Sequence, residues 1–221
     1  MSKPLYPVAL RLRDKPVLVV GGGPVAARKV ARLLDCGARV TLVALAAAQE
    51  LEDAAVRGTI VWHRRPFTPT DVEGAALVFT ATGDEAVDAS VAAAAQGLSI
   101  WVNVADSAAA GDVQLPALLR AGAVTVAVST AGAAPGFAAR LARELEPRLS
   151  HVGPYVELLG ALRQDLRQRF PDAPARRQRA FAAALDCAAA REHAEQGRLD
   201  EAGLALRSAA EAALDAEGDQ G

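Results

Sequence analysis

Lysine is almost missing from this chain. Of its 24 basic residues only Lys3, Lys15 and Lys29 are lysines, and none follows position 29. That scarcity excludes the Tyr-x-x-x-Lys pair with which short-chain dehydrogenases lower a tyrosine pKa, because Tyr155 is followed four places on by Leu159. Schiff-base chemistry is left with almost no candidate amine. Cysteine is scarce too. Cys36 and Cys187 stand far apart without CxxC or Cys/His spacing, and read as structural thiols of a reducing cytoplasm. His63, His151 and His193 are scattered outside any HExxH or triad context, so no protein-bound metal is expected. No charge-free apolar run reaches the roughly 18 residues of a membrane span, and "MSKPLYPVAL" lacks the apolar core of a secretory leader. A net charge of −2 supplies no global attraction to nucleic acid or membrane. The expectation is a soluble, cytoplasmic protein.

What the chain does have is alternation. Val17–Val20, Arg39–Val43, Thr59–Trp62, Ala76–Thr80 and Ser99–Val104 are short β-branched runs that read as strands buried on both faces. Between them Val25–Cys36, Ala46–Arg57 and Asp84–Gln96 carry helical periodicity, each followed by a glycine as its stop. "HRRPFTPTDVEG", between the third and fourth strands, is the exception and reads as irregular. This pattern predicts a Rossmann-like α/β fold with a doubly wound parallel sheet over 1–112. After it, "VQLPALLRAGAVTVAVST" reads as two strands and "PGFAARLARELEPRL" as a helix, a small α+β module over 113–150. "YVELLGALRQDLRQRF", "RRQRAFAAALDCAAAREHAEQ" and "DEAGLALRSAAEAALDAE", punctuated by Pro154, Pro171 and Pro174, are each helical in period and predict a helical module over 151–221.

The turn after the first strand carries chemistry. Gly21-Gly22-Gly23-Pro24-Val25-Ala26 fits G-x-G-x-x-A between a strand and a helix. Gly21 allows the tight turn, Gly23 lets a pyrophosphate approach the backbone, and Ala26 lets the helix pack on the sheet. Pro24 gives up an amide that would be unsatisfied in any case. The alternative is a plain structural corner. One element of the fingerprint is missing: the acid expected about 20 positions on for the ribose hydroxyls, where this chain has Val43, Ala44 and Leu45. No arginine follows that strand either, so the sequence leaves NAD against NADP undecided.

Two further places stand out. Asp106, in "WVNVADSAAAGD", lies just beyond the last parallel strand, where open α/β sheets bind ligands; an Asx turn explains it equally well. Ser129 and Thr130 precede a small-residue loop and a helix from Pro135, whose amides could hold a phosphate or carboxylate, or simply begin the helix.

Together "YPVALRLRDKPVLVVGGGPVAARKVARLLDCGARVTLVA", "ATGDEAVDASVAAAAQG", "WVNVADSAAAGDVQLPALLRAGAVTVAVSTAGAAPGFAARLARELE" and "HVGPYVELLGALRQDLRQRF" resemble the precorrin-2 dehydrogenase family, the N-terminal part of siroheme synthases. The resemblance covers about residues 5–170. It implies an enzyme that oxidises precorrin-2 to sirohydrochlorin with NAD, in some members followed by insertion of ferrous iron or cobalt. It implies a homodimer assembled through 113–150 and a helical module over the substrate, and the stand-alone form. Asp106 matches the family's essential acid and becomes the candidate general base. Gly21, Gly22, Gly23, Pro24, Val25, Ala44, Leu45, Thr82 and Asn103 become the candidate cofactor site. Ser129, Thr130, Arg120 and Arg140 become the candidate substrate site, Arg143 lying close by, since eight substrate carboxylates call for arginine. The "AVSS" serine of some relatives is Thr130 here, so regulation by phosphorylation is not carried over. A non-catalytic NAD-binding sensor and a chelatase-only relative are the rival readings.

Overall fold

The β-branched runs and the alanine-rich stretches between them resolve, in a computed structural model, into five parallel strands with helices on both faces. The structure describes residues 4–105, 107 and 109–216. In order come β1 (Pro16–Val20), α1 (Pro24–Asp35), β2 (Arg39–Val43), α2 (Gln49–Val56), β3 (Ile60–His63), β4 (Leu77–Thr80), α3 (Glu85–Gly97) and β5 (Trp101–Val104). The sheet order is β3-β2-β1-β4-β5. The chain thus winds outward from β1 in one direction and then crosses to the other side at β4. That reversal opens a crevice at the carboxyl ends of β1 and β4, where doubly wound sheets bind ligands.

Side-chain alternation along β1 explains why both faces are covered. Val17 and Val19 join Val30 and Leu33 of α1 and Leu51 of α2 in one core, while Leu18 and Val20 join Val91, Ala92 and Ala95 of α3 in the other. Each buried valine or leucine contributes about 1.5–3 kcal/mol, so β1 is anchored from both faces of the sheet.

The third strand departs from expectation. β3 is the sheet's edge, with Val61 56% exposed, so it is not buried on both faces. No helix follows it to cover its outer face. The connection instead carries a single 3-10 turn over Pro69–Val72, whose Val72 is completely buried. Asp71 holds that turn: its carboxylate accepts from both Arg65 terminal nitrogens, at 2.8 and 2.5 Å, and from the Thr68 amide at 2.8 Å. Hydrogen bonding from Arg65, aided by the Thr68 amide, holds this carboxyl down to about 2. A folded pKa below the unfolded value of about 3.9 gives stability that is complete above that value and lost as pH falls toward 2. The wild type is therefore expected to be more stable than Asp71→Asn at neutral pH. Urea midpoints measured across pH should show that difference closing between about pH 4 and 2.

Glycine ends α1 and α2 as the sequence predicts, Gly37 and Gly58 both having left-handed φ near 72–73°. At α3 the helix runs through Gly97 instead, and Ser99 takes the left-handed position with φ 56°.

The described residues divide into two compact units, one of those up to 115 with 131–133 and one of 116–130 with those from 134 onward. The second begins with an antiparallel hairpin, β6 (Ala117–Ala121) and β7 (Val124–Val128), whose tight turn carries Gly122 at φ 55°. Gly153 lets the hairpin turn approach the next helices closely, because a Cβ there would collide with the Ala121 carbonyl. The helices are α4 (Pro135–Leu149), α5 (Val152–Arg169), α6 (Pro174–Leu185), α7 (Ala188–Glu195) and α8 (Leu199–Asp215). Leu162 and Leu166 pack with Ala180, Ala184 and Ala190 and with Leu206, Ala210 and Leu214. Small alanines at these positions let α6 and α7 press against α8. The single period read through "FAAALDCAAAREHAEQ" is broken at Asp186 and Cys187. The extended backbone of Cys187 and its thiol donating to the Ala205 carbonyl, 3.8 Å away, separate α6 from α7. No helix among the described residues is long and apolar enough to cross a membrane.

Candidate functional site

Three loops meet at the carboxyl end of the parallel sheet. The first is the glycine turn, and its three glycines have different reasons to be glycine. Gly21 has φ 109°, and a Cβ there would run into the Ala81 carbonyl beyond β4. A Cβ on Gly22 would collide with the Ala46 carbonyl beyond β2, and the Gly22 carbonyl accepts the Ala48 amide at 2.7 Å. These two glycines pull the loops after β2 and β4 against the turn.

Gly23 is different. Its backbone is ordinary and extended (φ −78°, ψ −177°), and a Cβ would meet nothing within 4 Å. No atom of the described residues requires glycine there. The space lies at the N-terminus of a 12-residue helix whose first turn has no side-chain cap, with Pro24 lacking an amide and Ala26 buried. An open cradle in front of helix amides fits a dinucleotide pyrophosphate, which approaches backbone where a side chain would intrude.

The second loop carries Ala44 and Leu45. Ala44 is buried, while Leu45 is 66% exposed. Their carbonyls accept from Trp62 Nε1 at 3.0 Å and from Arg64 Nε at 3.3 Å respectively. The arginine absent after β2 in the sequence is thus supplied in space from the end of β3.

The third loop carries Thr82, fixed by a carboxylate the sequence reading did not single out. Asp88, 6% exposed on α3, accepts from the Thr82 amide at 3.3 Å, from the Thr82 hydroxyl at 2.6 Å and from the buried Thr80 hydroxyl. Removing it would orphan a fully buried hydroxyl, a loss of about 1–3 kcal/mol. Its signal was present: 88, 91, 92 and 95 form the buried face of α3, and an acid on such a face needs partners. Asp84 completes the loop as the cap of α3, accepting the Ala86 and Val87 amides at 2.9 and 3.1 Å.

Asn103, on β5, is 6% exposed with both amide ends engaged: Oδ1 accepts from Lys29 of α1, and Nδ2 donates to the Val113 carbonyl at 2.7 Å. Lys29 also lies 5.2 Å from the centroid of the Phe79 ring. Asn103 therefore ties α1 to β5 and to the segment leaving the sheet. Asp106, the candidate base, lies outside the described residues.

The remaining candidates belong to the second unit. The Thr130 hydroxyl accepts the Ala134 amide at 3.0 Å across the turn before α4, and Ser129 precedes it. Arg140 pairs with Glu144 at 2.9 Å on the surface of α4 and lies 5.8 Å from the Phe137 ring centroid. Arg120 sits on β6 opposite Thr125. Arginines the sequence reading passed over gather elsewhere in this unit. Arg163 and Arg167 of α5 and Arg177 of α6, with Gln178 and Phe181, line a cavity of about 410 Å³. Neither Arg163 nor Arg167 meets a carboxylate among the described residues, whereas Arg140, Arg169 and Arg198 all do.

Comparison with known proteins agrees with this geometry. A family model described as NAD(P)-binding matches residues 8–117. Siroheme synthase of Methylococcus capsulatus is 43% identical over 208 residues, covering 94% of this chain and 44% of that protein. Siroheme synthase of Tolumonas auensis is 39% identical over 180 residues, covering 80% of this chain and 38% of that one. The chain thus spans about two fifths of the length of these curated relatives. Among solved structures, SirC, a precorrin-2 dehydrogenase, superposes with a TM-score of 0.77 at 26% identity, over 92% of this chain and 100% of its own. The chain belongs to the family that siroheme synthases and precorrin-2 dehydrogenase share.

Proposed function

We propose that this chain is a dehydrogenase that oxidises precorrin-2 to sirohydrochlorin with NAD. The observation that carries the reading is correspondence over the whole length of a precorrin-2 dehydrogenase, second unit included, together with a glycine cradle in which a Gly23 side chain would meet none of the described residues. The bound dinucleotide supplies a hydride acceptor. The chain's own residues do the rest. The α1 N-terminus and Gly23 hold the pyrophosphate, while Asp88 fixes the Thr82 loop beside it. Asp106 takes the proton that leaves the macrocycle with the hydride, so one carboxylate suffices as base. Ser129, Thr130, Arg120 and Arg140 bind the substrate's carboxylates. Arg163 and Arg167, which meet no carboxylate among the described residues, support the reading by leaving the second unit cationic groups for a polycarboxylate.

Within this reading the chain acts in the cytoplasm as a homodimer built on the β6–β7 hairpin. Two strands alone leave both edges open, and Val124, Val126 and Val128 are only half-buried while Leu118 and Phe137 are exposed. Sedimentation at micromolar concentration should give a dimer, and a monomer would contradict this part of the proposal.

Anaerobic incubation of the protein with precorrin-2 and NAD tests the activity, with NADH absorbance as readout. NADH formation supports the dehydrogenase; tight NAD binding without turnover supports a sensor instead. Repeating the incubation with ferrous or cobalt ion shows whether sirohydrochlorin is then metallated.

A further inference from the structure

In this fold the outer end of β2 is the ribose site, and an acid there both binds the 2′-hydroxyl and repels a 2′-phosphate. This chain has no such acid. The segment Ala44–Ala48 is uncharged throughout. It lies beside the pyrophosphate cradle, since Gly22 approaches the Ala46 carbonyl and bonds the Ala48 amide.

Into this uncharged loop reaches Arg64. Parallel pairing sets His63 of β3 beside Val43 of β2, so the next residue of β3 emerges beside Ala44. Arg64 Nε donates to the Leu45 carbonyl at 3.3 Å, and its guanidinium carbon lies 5.3 Å from the centroid of the Trp62 ring. Trp62 is itself fixed, its Nε1 donating to the Ala44 carbonyl at 3.0 Å. The guanidinium is thus oriented at one nitrogen and supported on one side, with no carboxylate paired to it among the described residues. Its neighbour Arg65 has the opposite fate, both terminal nitrogens being taken by Asp71.

We propose that Arg64 is a specificity-determining residue that admits a 2′-phosphate on the adenosine ribose, so that the dinucleotide site accepts NADP as well as NAD. An oriented guanidinium with terminal donors to spare suits a phosphate dianion, with which it forms short, charge-assisted hydrogen bonds. The inference rests on the dinucleotide site of the proposed function, but not on its tetrapyrrole substrate.

Equilibrium binding of NAD and of NADP, each titrated alone into the full chain without tetrapyrrole, tests it. The wild type is expected to bind NADP at least as tightly as NAD. Arg64→Gln should weaken NADP at least tenfold and leave NAD within about twofold, because the 2′-hydroxyl makes no use of the charge. Arg64→Lys, keeping a point charge without the fork, should recover part of the NADP affinity. NADP binding tenfold weaker than NAD in the wild type would overturn the proposal. So would an Arg64→Gln variant in which both affinities fall alike, since the arginine would then only brace the loop. Failure to oxidise precorrin-2 would leave these binding ratios intact, so the two readings fail separately.

Discussion

Replacing Asp106 with asparagine is expected to lower NADH formation from precorrin-2 by about a hundredfold or more, the usual contribution of a positioned base. Asparagine keeps the shape and most of the local hydrogen bonding of aspartate but cannot accept the proton. NAD affinity should remain within about twofold, because the lost interaction belongs to the transition state. A loop-capping aspartate predicts the reverse, since asparagine caps nearly as well and turnover would stay close to wild type. Near-normal turnover in a folded Asp106→Asn protein removes this residue from the reaction. Loss of oxidation with retained metal insertion into supplied sirohydrochlorin would confine it to the redox step.

Gly23→Val is expected to reduce NAD affinity at least tenfold, about 1.4 kcal/mol or more. The glycine turn makes this test unusually clean. Gly21 and Gly22 cannot accept a side chain, because each faces a neighbouring carbonyl, so their variants confound binding with folding. Gly23 has an ordinary φ, and an added Cβ meets no atom of the described residues, so valine costs about 1 kcal/mol at the helix start. A folded Gly23→Val protein with unchanged NAD affinity would show that the dinucleotide does not use this cradle.

The parallel sheet was legible because β1 and its glycine turn satisfy several local rules at once. A β-branched run, a turn that only glycine can make, a proline at the first helical position and a small residue facing the sheet all point to one structure. Arg39–Val43 is the strand at the residues predicted; β3 lies one residue later at both ends, and the other three differ by one or two residues at their start. Other features depend on which strands are neighbours. Val61 is exposed because β3 has β2 on one side alone, and no periodicity within "TIVWH" reveals an edge. Arg64 was hidden for the same reason. A search after β2 finds no arginine, and the residue that reaches Leu45 comes some 19 positions later along the chain. Asp88 was legible in principle, as an acid in register with Val91, Ala92 and Ala95. The break between α6 and α7 carries neither glycine nor proline. It is made by packing, as Cys187 turns toward the α8 backbone, which helical propensity does not encode.

The central claim is that one chain couples its dinucleotide cradle to oxidation of a tetrapyrrole. It is tested most directly by following both products in one anaerobic time course, with precorrin-2 limiting and NAD in excess. The account predicts that sirohydrochlorin and NADH appear together in equal amounts at the same rate, and that Gly23→Val slows both alike at subsaturating NAD. Sirohydrochlorin formed without matching NADH, or precorrin-2 left unchanged by a protein that binds NAD, would contradict it.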